Sequence, residues 1–102
     1  MSLEKIDSAQ AIRLLDAGRA LAVDVREPDE YAGGHIPGAL LLPLGQVRDR
    51  APGLLPDPAA PLLVYCRTGR RSEAAGLQLQ AMGYTNVKNL GGILSWPYEL
   101  ES

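Results

Sequence analysis

The chain has 102 residues, a formal net charge of -2, and 46% hydrophobic and 22% charged residues. That length supports one hydrophobic core, so a single domain over residues 1–102 is expected, and the mild acidity gives no pull toward nucleic acid or an anionic membrane. One cysteine and one histidine exclude an intrachain disulfide, a thiolate zinc site and an iron–sulfur cluster.

No apolar run approaches the roughly 20 residues that span a bilayer. The N-terminus lacks the apolar core of a signal peptide, so a cytoplasmic location is expected. The first three residues are compatible with a native start or a cloning remnant. Glu4-Lys5-Ile6 is compatible with an edge strand but too short to assign alone. Asp7 with Gln10 has the form of a capping box, in which each side chain serves a free backbone N–H. The helix behind it carries Ala11, Ile12, Leu14 and Leu15, and Gly18 ends it.

Ala20 to Val25 is an apolar run broken only by Asp24, the pattern of a strand buried on both faces of a parallel sheet. Pro28, Asp29 and Glu30 open a short helix that ends by Gly33-Gly34. His35-Ile36-Pro37-Gly38 has the composition of a turn. Ala39 to Leu42 reads as a buried strand stopped by Pro43, and residues 44–50 as a short helix. Pro52, Gly53, Pro56, Pro58 and Pro61 predict a loop.

Leu62 to Cys66 is an uninterrupted apolar strand. Ala75, Leu79 and Met82 have helical spacing within residues 72–82, and Gly83 ends that helix. Asn86 to Leu90 is a short strand that Gly91-Gly92 breaks. Residues 93–100 form a last short helix if Pro97 falls in its first turn, where its missing N–H costs nothing. Strands and helices alternate throughout, which predicts an α/β fold with a mainly parallel sheet. Sites in such folds form beyond the carboxyl ends of strands, where Asp24 and Cys66 fall.

Cys66-Arg67-Thr68-Gly69-Arg70-Arg71-Ser72 therefore joins a strand to a helix N-terminus, with the only cysteine at its base. A thiol reacts as its thiolate, and a free pKa of about 8.5 leaves little of that at neutral pH. The helix start offers unpaired N–H groups and the positive end of a dipole. Arg67, Arg70 and Arg71 bring positive charge, and Gly69 lets successive amides converge on one atom. Such a loop stabilises a thiolate, or a terminal sulfur carried on it, and binds an oxyanion donor. A cysteine in mid-strand would read instead as a small buried hydrophobe.

Across these residues the chain resembles the rhodanese family of sulfurtransferases. Its loop is similar to the family's Cys, two residues, Gly, one residue, Arg-Ser. Asp24-Val25-Arg26-Glu27, Glu30-Tyr31 and Gly34-His35-Ile36-Pro37-Gly38-Ala39 match the family's first signature, and Gly91-Gly92 with Trp96 its C-terminal one. The resemblance implies a rhodanese-like five-stranded mainly parallel sheet with helices on both faces. It implies that Cys66 takes a sulfane sulfur from a small anionic donor such as thiosulfate or a persulfide. The sulfur then passes to cyanide, a small thiol or a protein acceptor, without a cofactor. Arg67, Thr68, Gly69, Arg70 and Arg71 would bind the donor, with Asp24, Arg26 and Ser72 in support.

Loop length separates the relatives. Protein tyrosine phosphatases place five residues between Cys and Arg, and rhodanese-fold phosphatases also have a longer loop. Here Cys66 to Arg71 is one residue short of that, which suits a single sulfur atom better than a phosphoryl group. The alternatives are a sulfur carrier or docking module, and a phosphatase or arsenate reductase on the same fold. Two departures stand out. Two-domain rhodaneses commonly carry an arginine before the tyrosine matching Tyr31, where this chain has Glu30. The family's Gly-x-Pro ending is also missing after Trp96.

Four other polar residues lie in these motifs. His35 is expected to fix its turn rather than act as a base. Asp24 is expected to brace the neighbouring loops through Arg26 or a loop arginine. Glu27 and Glu30 are candidates to pair with the arginine cluster.

Overall fold

A computed structural model describes residues 3–102; Met1 and Ser2, two of the residues compatible with a cloning remnant, lie outside the described residues. The elements are α1 (Ser8–Asp16), β1 (Leu21–Asp24), α2 (Pro28–Ala32), β2 (Leu40–Leu41), α3 (Val47–Leu54), β3 (Leu62–Cys66), α4 (Arg70–Ala81) and β4 (Val87–Gly92). Single 3-10 turns cover Leu44–Gln46 and Ile93–Ser95. The capping box forms: Gln10 N–H donates to Asp7 Oδ1 at 2.8 Å, and Asp7 N–H reaches Gln10 Oε1 at 3.5 Å.

The sheet has four strands in the order β2-β1-β3-β4, and every pair is parallel. The expected fifth strand is reduced to a bridge. Lys5 pairs with Asn89 in parallel, with Asn89 N–H donating to Glu4 O at 2.7 Å and Ile6 N–H to Asn89 O at 3.1 Å. The capping box at Asp7 turns the chain into α1 straight after Ile6, so the segment is too short for a full strand.

Side chains of β3 alternate between two cores, as the pleat requires. Leu62, Val64 and Cys66 face α3 and α4 with Val47, Ala51, Leu55, Ala75 and Leu79. Leu63 and Tyr65 face the other side with Ala11, Ile36, Ala39 and Trp96. Helices therefore cover both faces, and all five residues of β3 are buried.

Three further expectations change. Helix α3 runs through Pro52 and Gly53 to Leu54. Val47, Ala51 and Leu55 recur every four residues and are at most 4% exposed, and burying that stripe outweighs the bond lost at the proline. Strand β4 continues through Gly91 and Gly92, with its register on β3 slipping past Leu90 and Gly91 at φ +96. The last helix is only the turn Ile93–Ser95. A residue before proline is driven toward extended backbone, and Trp96 sits at φ -80, ψ 115. The chain beyond returns to His35, whose N–H and C=O exchange hydrogen bonds with Glu101 at 2.8 and 2.9 Å.

Candidate active site

The chain passes from β1 to β2 on one side and to β3 on the other, so the switch point of the sheet, where ligands bind in such folds, lies at the carboxyl ends of β1 and β3. Cys66 ends β3 there and is 1% exposed. Its Sγ accepts the Gly69 N–H at 3.0 Å and lies 3.6 Å from Ser72 Oγ. Gly69 has φ +108 and caps α4, a conformation open to glycine. Burial pushes the Cys66 thiol up, but the Ser72 hydroxyl and the amides of Ser72, Gly69 and Thr68 outweigh it and leave the thiol below its ordinary value. Backbone amides and one hydroxyl thus set the acidity of the sulfur.

Beneath the loop the expected supporting residue Ser72 joins a polar network whose other members, Asn89 and Glu73, carry no motif in the sequence. Ser72 Oγ has one proton and three acceptors in reach: Asn89 Oδ1 at 2.7 Å, Gly69 O at 3.0 Å, and the Cys66 sulfur at 3.6 Å, which competes for it as a thiolate. Asn89, 6% exposed, donates through Nδ2 to Gly69 O at 3.3 Å and Glu73 Oε1 at 3.2 Å, and accepts Gly91 N–H at 2.8 Å. Glu73 Oε2 accepts the Leu3 N–H at 3.1 Å. The available signal was an asparagine inside an apolar strand, a position it normally avoids.

Of the paired glycines, Gly91 takes a positive φ and Gly92 has a packing role. A Cβ on Gly92 would collide with the Arg67 carbonyl and lie 2.7 Å from Thr68 Cα. Only a residue without a side chain lets the loop rest on β4. A groove of about 840 Å³ borders the loop along Thr68, Gly69 and Arg70, with Lys5 and Leu90 in its other walls. Cys66 does not line it, because its side chain lies below Gly69.

The arginines divide. Arg67 and Arg70 are exposed and make no ion pair among the described residues. Arg71 reaches Glu30 on α2 in a two-pronged pair, Nη1–Oε1 at 2.7 Å and Nη2–Oε2 at 3.0 Å. Hydrogen bonds from Arg71 and from the Glu27 N–H hold the Glu30 carboxyl at about 2. Positive charge from Arg71 thus reaches the loop largely compensated.

Asp24 and Arg26 pair with each other rather than with a loop arginine. Asp24 Oδ1 accepts the Arg26 N–H at 2.9 Å, and Arg26 Nη2 donates to Asp24 Oδ2 at 2.7 Å and to Gly34 O at 2.8 Å. They brace the turn after α2. His35 also fixes that turn. Its Nδ1 donates to Tyr31 O at 2.8 Å, which places the proton on that nitrogen, and its ring stacks on Tyr31 at 3.6 Å.

Comparison with known proteins agrees with this geometry. The family profile for a rhodanese-like domain matches residues 7–98. The thiosulfate sulfurtransferase PspE of Escherichia coli is 42% identical over 71 residues, covering 70% of this chain and 68% of that protein. A sulfurtransferase of Allochromatium vinosum is 41% identical over 96 residues, covering 92% of this chain and 88% of its own. The structure of a human single-domain sulfurtransferase superposes with a TM-score of 0.84 at 28% identity, covering 90% of this chain and 93% of that one. The chain belongs to the rhodanese-like family of sulfurtransferases.

Proposed function

We propose that this protein moves sulfane sulfur from thiosulfate, or a donor of similar chemistry, to a thiophilic acceptor through a persulfide on Cys66. The observation that carries the reading is the Gly69 N–H held 3.0 Å from Cys66 Sγ, within a loop whose length suits a sulfur atom better than a phosphoryl group. The Cys66 thiolate attacks the outer sulfur of thiosulfate. The sulfur–sulfur bond of the donor breaks, and its electron pair leaves with sulfite. The terminal sulfur of the resulting persulfide carries the negative charge and meets the loop amides. Cyanide or a thiolate then attacks that sulfur, a new bond to the acceptor forms, and the Cys66 thiolate is regenerated. Charge and electrons balance in both steps, so no cofactor or outside oxidant is required.

Arg67 and Arg70 guide the anion to the loop, Thr68 and Gly69 contribute backbone donors, and Ser72 supports the sulfur. Asp24 and Arg26 hold the scaffold. We place the protein in the cytoplasm as a single domain over residues 1–102, acting on small anionic donors and on cyanide, a small thiol or a protein acceptor. No helix of the described residues is long and apolar enough to cross a membrane.

The test combines intact mass with turnover. After thiosulfate treatment the wild type should gain one sulfur atom, and Cys66→Ser should neither gain it nor form thiocyanate from cyanide. Transfer by Cys66→Ser, or no added sulfur on the wild type, rejects the proposal. Sulfur loading with negligible turnover would mark a carrier instead. Hydrolysis of an aryl phosphate that Cys66→Ala abolishes would mark a phosphatase.

A further inference from the structure

We infer that Glu30 is a specificity-determining residue: its carboxylate occupies Arg71 and thereby disfavours doubly charged sulfur donors relative to singly charged ones. The inference rests on the sulfur-transfer reading and names the charge class of donor that the site favours.

Arg71 is the last residue of the loop and lies in the first turn of α4. Both of its terminal nitrogens are spent on Glu30, at 2.7 and 3.0 Å. Parallel N–H···O bonds of this kind are the strongest arginine–carboxylate geometry. Glu30 is itself positioned, because its Oε1 accepts the Glu27 N–H at 3.0 Å at the start of α2. The carboxylate is therefore aimed at the loop before any donor arrives. It stays ionised at all ordinary pH, since its carboxyl is held at about 2. Arg71 ends the same loop whose Gly69 N–H holds Cys66 Sγ at 3.0 Å, so the Glu30–Arg71 pair and the sulfur belong to one loop.

A dianion entering this space must compete with Glu30 for Arg71 and is repelled by the same carboxylate. A monoanion with the same sulfane sulfur suffers less of both. Thiosulfate and methanethiosulfonate form such a pair, the second having a methyl group in place of one charged oxygen. Attack of Cys66 on either gives the same persulfide, releasing sulfite from one and methanesulfinate from the other.

The experiment measures kcat/KM for both donors, with cyanide as acceptor, in folded wild type, Glu30→Gln and Glu30→Asp. Glu30→Gln should raise thiosulfate kcat/KM relative to methanethiosulfonate by about threefold to tenfold, mainly through KM, with the gain shrinking in high salt. Glu30→Asp keeps the charge on a shorter arm, so it should give a smaller shift in the same direction; it also keeps the test usable if the glutamine variant does not fold. Adding Arg71→Gln to Glu30→Gln should erase the gain. An unchanged or reversed donor ratio overturns the inference, as does a gain that survives the loss of Arg71. Failure of the wild type with both donors is a different result: it defeats the sulfur-transfer reading and this inference with it.

Discussion

Two arginine–carboxylate pairs stand at the carboxyl end of the sheet in opposite surroundings. In Asp24–Arg26 the side chains are 0% and 7% exposed, whereas in Glu30–Arg71 they are 27% and 34% exposed. The first pair joins residues two apart and extends to the Gly34 carbonyl. The second spans 41 positions and joins α2 to the loop after Cys66. Burial decides what each can do. Removing one partner of a buried pair leaves a charge that water cannot reach. Removing one partner at the rim leaves a charge that water and salt screen. The inner pair therefore serves the scaffold, and the outer pair is free to serve selectivity.

The largest expected effect lies inside. Asp24→Ala should lower unfolding stability by about 3–5 kcal/mol, read from the midpoint of urea denaturation, because Arg26 is then buried without its partner. A loss below about 1 kcal/mol would make the two pairs alike and end the contrast. Next comes the sulfur, whose acidity neither pair sets first. Ser72→Ala should raise the midpoint of the pH profile for Cys66 alkylation and slow alkylation at neutral pH severalfold, since a donor to the thiolate is lost. An unmoved midpoint would assign the lowered value to the amides alone.

The smallest effect lies at the rim. Glu30→Gln should cost about 0.2–1 kcal/mol at pH 7, because both partners are partly exposed. Its pH dependence has a definite sign. The Glu30 carboxyl falls from an ordinary 4.5 to about 2 in the folded protein. Its contribution is therefore complete above 4.5 and is lost as the pH falls toward 2. Stability curves of wild type and Glu30→Gln should be separated at neutral pH and converge near pH 2. Curves that stay parallel to that point would remove Glu30 titration as the cause.

Much of the scaffold was legible along the chain because local signals and burial agree there. Leu62–Cys66 is predicted and found as a strand, because an unbroken apolar run suits a site covered on both faces. Asp7 with Gln10, Pro28 and Gly83 mark helix ends through backbone chemistry that needs no distant partner. Where tertiary contacts compete with local preference, the reading failed. Pro52 is a helix breaker by propensity, yet the buried stripe of Val47, Ala51 and Leu55 carries α3 past it. Gly91-Gly92 is a breaker by composition, yet the loop resting on Gly92 requires the strand to continue beneath it.

The chain alone carries the setting of the atom we propose to react: one cysteine, at the end of a buried strand, before a glycine and a helix start. Those features are local, since strand, turn and helix cap are written within a dozen consecutive residues. It also determined the family, through motifs spread from Asp24 to Trp96. Packing of distant segments settles which arginine is neutralised, which side chains lie under the loop, and why two glycines stand in β4. Glu30 lies 41 positions from Arg71 and Asn89 lies 17 from Ser72. Such pairings depend on how the strands stack side by side, and no local propensity encodes that distance.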